Sequence, residues 1–368
     1  MSLKLGSLDI NKAYLGSTEI KKCYLGNDLV FGKNTVFVFR TTSINQTIEM
    51  PYDQNGSYTG YIITESGTFL NSYDNRFLTF SNIGDHEVTI TGLINGFYYS
   101  NSSDAIDLVE IKSFGRLIVT TDSFYGCLNL NITATDTPVL STAFMSSVFR
   151  DCSILMFNNT INEWDMSNTE VMPSMFYGAE MFNQPLNDWD TSNVTNMFSV
   201  FREAMIFNQP LNNWNTSNVS SFGSMFWDAV DFNQNIDSWQ TDSMENISSM
   251  FRGATSFNQP LNSWDTSNVT NMFAVFRDAT SFNQPLNNWN FNSVTNMNNF
   301  MLGKTFNDYD ASNYDLLLAT LNGVNGLIFA NMSNVNINMG TIKYTASGAS
   351  DRADLVSKGF IITDGGQV

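Results

Sequence analysis

The chain has 368 residues, 42% hydrophobic and 14% aromatic, enough to bury a sizeable core and too apolar for a disordered chain. Only 14% are charged, and 35 acidic against 17 basic residues give a net charge of −18. That balance argues against nucleic acid, whose phosphates need clustered Lys and Arg, and against an anionic membrane leaflet; a neutral or cationic partner such as a glycan fits better.

The first residues, Met1-Ser2-Leu3-Lys4-Leu5-Gly6, lack a basic stretch followed by an apolar one, so no export signal is expected. No run of 18 apolar residues suggests a membrane-spanning helix. Residues 1–34 carry a ten-residue repeat: Leu5-Gly6-Ser7-Leu8-Asp9-Ile10, then Leu15-Gly16-Ser17-Thr18-Glu19-Ile20, then Leu25-Gly26-Asn27-Asp28-Leu29-Val30. Each unit couples a glycine turn to a short strand, which predicts a small β-meander.

Residues 35–120 are rich in β-branched and aromatic residues between turn signals, as in Val36-Phe37-Val38-Phe39 and Glu87-Val88-Thr89-Ile90-Thr91. A small β-sandwich-like domain is expected there.

From residue 121 to 310 the sequence is periodic. Trp164, Trp189, Trp214, Trp239, Trp264 and Trp289 recur every 25 residues, and Phe157, Phe182, Phe207, Phe232, Phe257 and Phe282 keep the same step. Within one unit the apolar positions are Phe182, Leu186, Trp189, Val194, Met197, Val200, Phe201 and Ala204. That spacing is too irregular for one helix and is not strand alternation; it suits a chain that turns once per repeat with one set of side chains inward. A short strand is predicted near Leu186–Asp190, a turn at Ser192-Asn193 and a short helical segment near Thr195–Ala204. One such unit cannot cover its own apolar faces, so neighbours must stack and both ends need caps. Residues 311–368 read as the C-terminal α/β cap, with helices over Tyr314–Leu321 and Asp351–Lys358 and a strand over Phe360–Thr363.

The unit Phe182-Asn183-Gln184-Pro185-Leu186-Asn187-Asp188-Trp189-Asp190-Thr191-Ser192-Asn193-Val194-Thr195-Asn196-Met197 resembles the BspA-type leucine-rich repeat, a group also called DUF285. The resemblance spans roughly residues 124–289. It implies a mainly β fold with short helices, a solenoid of 25-residue period, of the kind found in bacterial surface proteins and some bacteriophage proteins. Tyr344-Thr345-Ala346-Ser347 and Gly359-Phe360-Ile361-Ile362-Thr363-Asp364-Gly365-Gly366 resemble the segment that closes such arrays. Residues 35–120 resemble the PKD-like lead-in of the same proteins, although Thr64-Glu65-Ser66-Gly67 stands where Trp-Gly-Asp-Gly is usual. The decapeptides resemble the N-terminal segment of bacteriophage virion proteins, which implies docking to other virion proteins through residues 1–34.

Candidate chemistry is sparse. His86 is the one histidine, no nucleophile-elbow or phosphate-loop motif occurs, and Cys23, Cys127 and Cys152 have no zinc-site spacing. Cys127 and Cys152 fall in a column continued by Ala179, Ala204, Ala229, Ala254 and Ala279, which predicts small buried residues. Asp165, Asp190 and Asp265 form a column interrupted by Asn215, Gln240 and Asn290, a substitution pattern of turns rather than of catalytic acids. No catalytic activity, cofactor or metal is expected. Columns of Asn183, Asn208, Asn233, Asn258 and Asn283 are expected to bond turn backbone.

One column differs. Tyr125, Arg150, Tyr177, Arg202, Trp227, Arg252 and Arg277 each follow a core Phe and are all large and planar. Pointing outward, they would form a binding stripe with one platform per turn for sugar rings or protein; alternatively the arginines bond Asp151, Glu203, Asp228 and Asp278 and merely cover the edge. The expectation is a bacteriophage virion surface protein, a tail fibre or spike that attaches to a host-cell glycan or protein, as a symmetric homo-oligomer on the virion surface. The alternatives are a bacterial cell-surface adhesin and, third, a polysaccharide-degrading enzyme.

Overall fold

The computed structural model describes residues 33–140, 143–158, 160–323 and 336–368, with the backbone of four short strands between residues 13 and 31. In that N-terminal stretch Ala13–Leu15 pairs antiparallel with Thr18–Ile20, and Cys23–Leu25 with Asp28–Phe31. These are two separate two-stranded sheets in place of one continuous meander. The docking surface expected of residues 1–34, and the Cys23 side chain, lie outside the described residues.

Alternation builds the next unit. In Gly84–Ile90, His86, Val88 and Ile90 are buried while Asp85 and Glu87 face water, the period of two that a half-covered strand requires. His86 therefore sits inside a strand, not in the loop before it. The strand lies in a seven-stranded sheet whose order is Met156–Phe157, Asn131–Ile132, Leu108–Ser113, Thr35–Thr41, Gly84–Ile90, Tyr61–Thr64 and Gly67–Leu70. Two smaller pairs, Gln46–Glu49 with Phe77–Phe80 and Tyr52–Tyr58 with Ile94–Phe97, contribute Ile48, Phe80, Tyr52 and Phe97 to the core around Phe37, Phe39 and Val88.

The sheet carries the chain into the periodic region. Leu108–Ser113 is antiparallel to Thr35–Thr41 but parallel to Asn131–Ile132, which is parallel in turn to Met156–Phe157. From there successive 25-residue segments lie side by side. Parallel bridges join Val171 to Asn196, Asn196 to Ser221, Ser221 to Asn246, Asn246 to Asn271 and Asn271 to Asn296.

The segment expected to be helical is instead the main inter-segment ladder. Met197, Ser199, Phe201 and Glu203 donate their backbone N–H to the carbonyls of Ser221, Gly223, Met225 and Trp227, at 2.7–2.9 Å. Ser199 and Glu203 sit at φ +57° and +60°, which no right-handed helix contains. The steps of three and four come from tight turns that alternate inward and outward residues, not from helical periodicity. The strand expected at Leu186–Asp190 is absent too: Asn187 and Asp188 form a turn, with Trp189 N–H on Leu186 O. Side chains make the cross-links there, Asn183 Oδ1 accepting from the N–H of Asn208 and Asn187 Oδ1 from that of Asn213. The turn at Ser192-Asn193 is present.

Inside, aromatic columns run through the segments. Phe176, Phe201 and Phe226 stack at 5.7 and 5.8 Å, and Trp189 lies 6.2 Å from Trp214 at 5°. The indoles of the column are buried, and from Trp189 onward each N–H donates to a carbonyl one segment back: Trp189 to Ile161, Trp214 to Leu186, Trp239 to Leu211, Trp264 to Ile236 and Trp289 to Leu261. Cys127 and Cys152 are free and buried in the small-residue column.

The far end is closed by imitation. Tyr309 stacks on Phe282 where the next Phe would lie, Asp310 N–H takes Asn283 Oδ1, and Asn313 bonds the same Asn283 as a following Gln would. Lys304 holds the place of the column's alanine. It is buried, and its ammonium donates to the carbonyls of Ala279 and Thr280. In earlier segments the carbonyl equivalent to Thr280 accepts a backbone N–H from the next segment, as Thr255 O does from Ser281. Lys304 supplies the donor that a missing neighbour cannot. Helices Ala311–Gly323 and Ala349–Ser357, and strand Asn336–Asn338 parallel to Ile361–Thr363, complete the cap. The fold is thus mainly β with few short helices.

Candidate functional site

The stripe residues are set by the turn that carries them. In each segment a core Phe points inward, the next residue turns out, and the one after adopts positive φ, as at Asp151 (+56°), Gly178 (+70°), Glu203 (+60°), Asp228 (+56°), Gly253 (+67°) and Asp278 (+58°). Tyr125, Arg150, Tyr177, Arg202, Trp227, Arg252 and Arg277 all emerge half-buried on one edge.

They stack on one another. The Arg150 guanidinium lies 4.9 Å from the Tyr125 ring centre and 4.7 Å from that of Tyr177. Arg202 lies 4.8 Å from Tyr177 and 3.6 Å from Trp227, and Arg252 covers the other face of Trp227 at 4.2 Å. The faces of Tyr177 and Trp227 are therefore occupied on both sides. That corrects the expectation of open platforms for sugar rings: a cation seeks the negative face of a ring, and one repeat is a short enough step for Arg150 and Arg202 each to reach two rings. Ring edges and guanidinium rims are what remain to meet a ligand.

A row of acids runs beside the stripe. Asp151, Glu203 and Asp278 pair with Arg150, Arg202 and Arg277 at 3.6, 3.1 and 3.2 Å. Burial pushes the carboxyls of Asp151 and Asp228 up, against the pull of Arg150 and Arg252. Where a segment has glycine in this row, the carboxylate of the preceding segment fills the space: a Cβ on Gly178 would lie 2.4 Å from Asp151 Oδ1, and one on Gly253 1.9 Å from Asp228 Oδ1. Both readings of the stripe thus find contacts here, with ion pairs along the edge and an ordered row of planar groups at the surface.

The other candidate chemistry goes to structure. His86 is buried on Phe80, its ring nitrogens reaching Glu65, Thr41 and Asn82. Asp165, Asp190 and Asp265, like Asn215 and Asn290, accept the N–H two residues on, closing turns. Burial pushes the thiols of Cys127 and Cys152 up, so neither is a ready nucleophile. Among the described residues no cluster of three or more His, Cys, Asp or Glu could hold a metal, and no helix is long and apolar enough to cross a membrane.

One concavity escaped the sequence reading. An open groove of about 640 Å³ is lined by Pro210, Asn212, Gln234, Asn235, Asp237, Ser238 and Ser263. Its signal is a gap in a column: Pro185, Pro210, Pro260 and Pro285 recur, and Asn235 interrupts them.

Comparison with known proteins bears on the repeats. The family described as Mycoplasma protein of unknown function, DUF285, matches residues 143–255 and again 231–340. No curated protein matches the chain, and no solved structure does. The two matched stretches together span more than half of the sequence, and the chain belongs to the DUF285 family of BspA-like repeat proteins.

Proposed function

We propose that the protein is a non-enzymatic surface-recognition protein of a bacteriophage virion, a tail fibre or spike that attaches to a host-cell glycan or protein. In this reading residues 121–310 form a BspA-type leucine-rich-repeat solenoid of 25-residue period. Residues 35–120 are its lead-in, 311–368 its cap, and 1–34 its attachment to other virion proteins in a homo-oligomeric appendage. The observation that carries recognition is the stack from Tyr125 to Arg252, an ordered aromatic and guanidinium edge repeated at every segment and left half-exposed. Tyr, Trp and Arg are the side chains most enriched where interfaces concentrate binding energy. The parallel bridges and the 24-residue hydrogen-bond offset support a rigid scaffold beneath it.

A second reading, a bacterial cell-surface adhesin, is favoured by the family description, which names a bacterium. Capsid and tail genes beside the coding sequence, and antibody labelling of particles instead of cells, distinguish the two. Attachment itself is tested with fluorescently labelled protein on a panel of bacteria. The expected result is saturable adsorption that Tyr177→Ser and Arg202→Gln weaken. Adsorption indifferent to both, or release of reducing ends from capsule, overturns the proposal.

A further inference from the structure

We infer that Arg252 and Arg277 form a binding point for one oxyanion, the carboxylate of an acidic saccharide whose other sugars are neutral. This rests on the recognition role proposed above and names the chemistry that one part of the stripe would read.

The stripe alternates ring and guanidinium from Tyr125 to Arg252, and then the alternation fails. Arg277 takes the place of the next ring, so two guanidinium groups occupy consecutive segments that are hydrogen-bonded to each other, Gly253 N–H to Arg277 O at 2.8 Å. Arg150 and Arg202 each lie between two rings and pair with the acid that follows them. Arg252 has a ring on one side only, Trp227. It is followed by Gly253, so the carboxylate its counterparts use is missing.

Asp228 does not make up the deficit. Its carboxylate lies in the space over Gly253, and among the described residues it makes no ion pair or hydrogen bond with the Arg252 guanidinium; burial lowers the Arg252 pKa, with Arg277 acting in the same direction and Asp228 and Asp278 against it. Arg277 spends its Nε on Asp278 at 3.2 Å. Among the described residues no guanidinium nitrogen of Arg252 donates a hydrogen bond, and neither terminal nitrogen of Arg277 does; the Arg252 backbone N–H is used on Ser249 O. Two adjacent planar forks with spare donors match an oxyanion, which can accept from both at once.

Charge elsewhere sets the size of the anion. The chain carries −18 overall, and Glu203, Asp228 and Asp278 flank the pair on the same edge. With a screening length of about 8 Å at physiological salt, the pair can hold one anionic group close by. A polyanion laid along several segments would meet the acids.

The test uses the full chain with isotope-labelled arginine, observing Nε–Hε resonances assigned with Arg252→Lys and Arg277→Lys. The probes are a disaccharide ending in glucuronic acid, its uncharged parent and inorganic phosphate. The acidic disaccharide is expected to shift the Arg252 and Arg277 signals and leave those of Arg40 and Arg352 in place, while the parent shifts none. Arg277→Gln should bind at least about tenfold more weakly, as expected for loss of a charge-assisted contact. Arg252→Lys, which keeps the charge and loses the fork, should also weaken binding and covers the case that Arg277→Gln does not fold. Lys112→Gln removes a distant positive charge and should bind as the unaltered chain does. Absence of shifts, or equal weakening by Lys112→Gln, overturns the site. Phosphate binding as strong as the disaccharide's keeps the oxyanion site and overturns the saccharide as its source. Intact titration with no adsorption to any cell would sink the recognition role and leave the site standing.

Discussion

Replacing Lys304 by methionine should change how stability depends on alkaline pH. Lys304 is buried where its column otherwise holds alanine, and burial pulls its pKa down to about 8 from an ordinary 10.5. Below pH 8 the ammonium is protonated in both the folded and the unfolded chain, and it contributes no slope. Between pH 8 and 10.5 the unfolded chain holds a proton that the folded chain lacks, so stability rises with pH across that window. At about 1.4 kcal/mol per pH unit the gap amounts to about 3 kcal/mol. Other groups titrate nearby: burial raises the pKa of Cys127, Cys152, Tyr52 and Tyr309, which lowers stability at high pH. They are common to both proteins and cancel in the difference. Urea midpoints of the native chain and of Lys304→Met, taken every half unit from pH 7 to 10.5, should therefore diverge, the native chain gaining about 3 kcal/mol on the variant. The neutral amine still donates to Thr280 O, so the cap survives its own deprotonation. A difference independent of pH would mean that water reaches the ammonium, and the account of Lys304 as a desolvated end-cap would fail.

Trp214→Phe should cost about 1 kcal/mol by denaturant unfolding, because it removes the indole N–H donated to Leu186 O at 2.8 Å and leaves that carbonyl only the Trp189 N–H at 3.3 Å. Trp164→Phe should cost less, since the Trp164 N–H is buried without a hydrogen-bond partner among the described residues; equal losses would refute the role given to the indole bonds. Gly253→Ala places a methyl 1.9 Å from Asp228 Oδ1 at φ +67°, and should lower stability by about 1–2 kcal/mol from the left-handed backbone alone, with a further loss from displacing the carboxylate. Trp227→Ala should weaken adsorption and also lower stability by about 1–2 kcal/mol, since both its faces hold a guanidinium. An unchanged melting curve would mean that those stacks contribute nothing.

The buried columns were legible in the sequence because they are written in residues with nowhere else to go. Trp and Phe every 25 positions must be buried together, and an Asn in a fixed place beside them must bond backbone. The path of the chain within one repeat was not legible. Met197, Val200, Phe201 and Ala204 have helical spacing, and that pattern reports only which residues point inward. The positive φ at Ser199 and Glu203 leaves no mark, because serine and glutamate do not advertise a left-handed backbone as glycine does. Gly178 and Gly253, at the place of Glu203, were the available clue: a position where glycine alternates with acids tolerates positive φ. Lys304 was equally readable in hindsight, as a lysine in an alanine column at the last repeat. There the absence of a further segment, and not any local preference, decides what the residue must do.

The stripe shows how repetition turns one geometric fact into a surface property. A single Arg beside a single Tyr would be an ordinary exposed contact worth little. Placed once per segment, Arg150 and Arg202 each find a ring above and below, Tyr177 and Trp227 each find two cations, and the acids beside them fall into the same register. The rigidity of the edge therefore comes from the ladder beneath it, and an interruption acts locally without loosening the row. Substituting Arg277 by Tyr would restore the alternation, giving Arg252 a second ring and removing the extra charge. That variant should be at least as stable as the native chain and should lose the oxyanion response. If it bound the acidic disaccharide unchanged, the break in the alternation would have no bearing on binding.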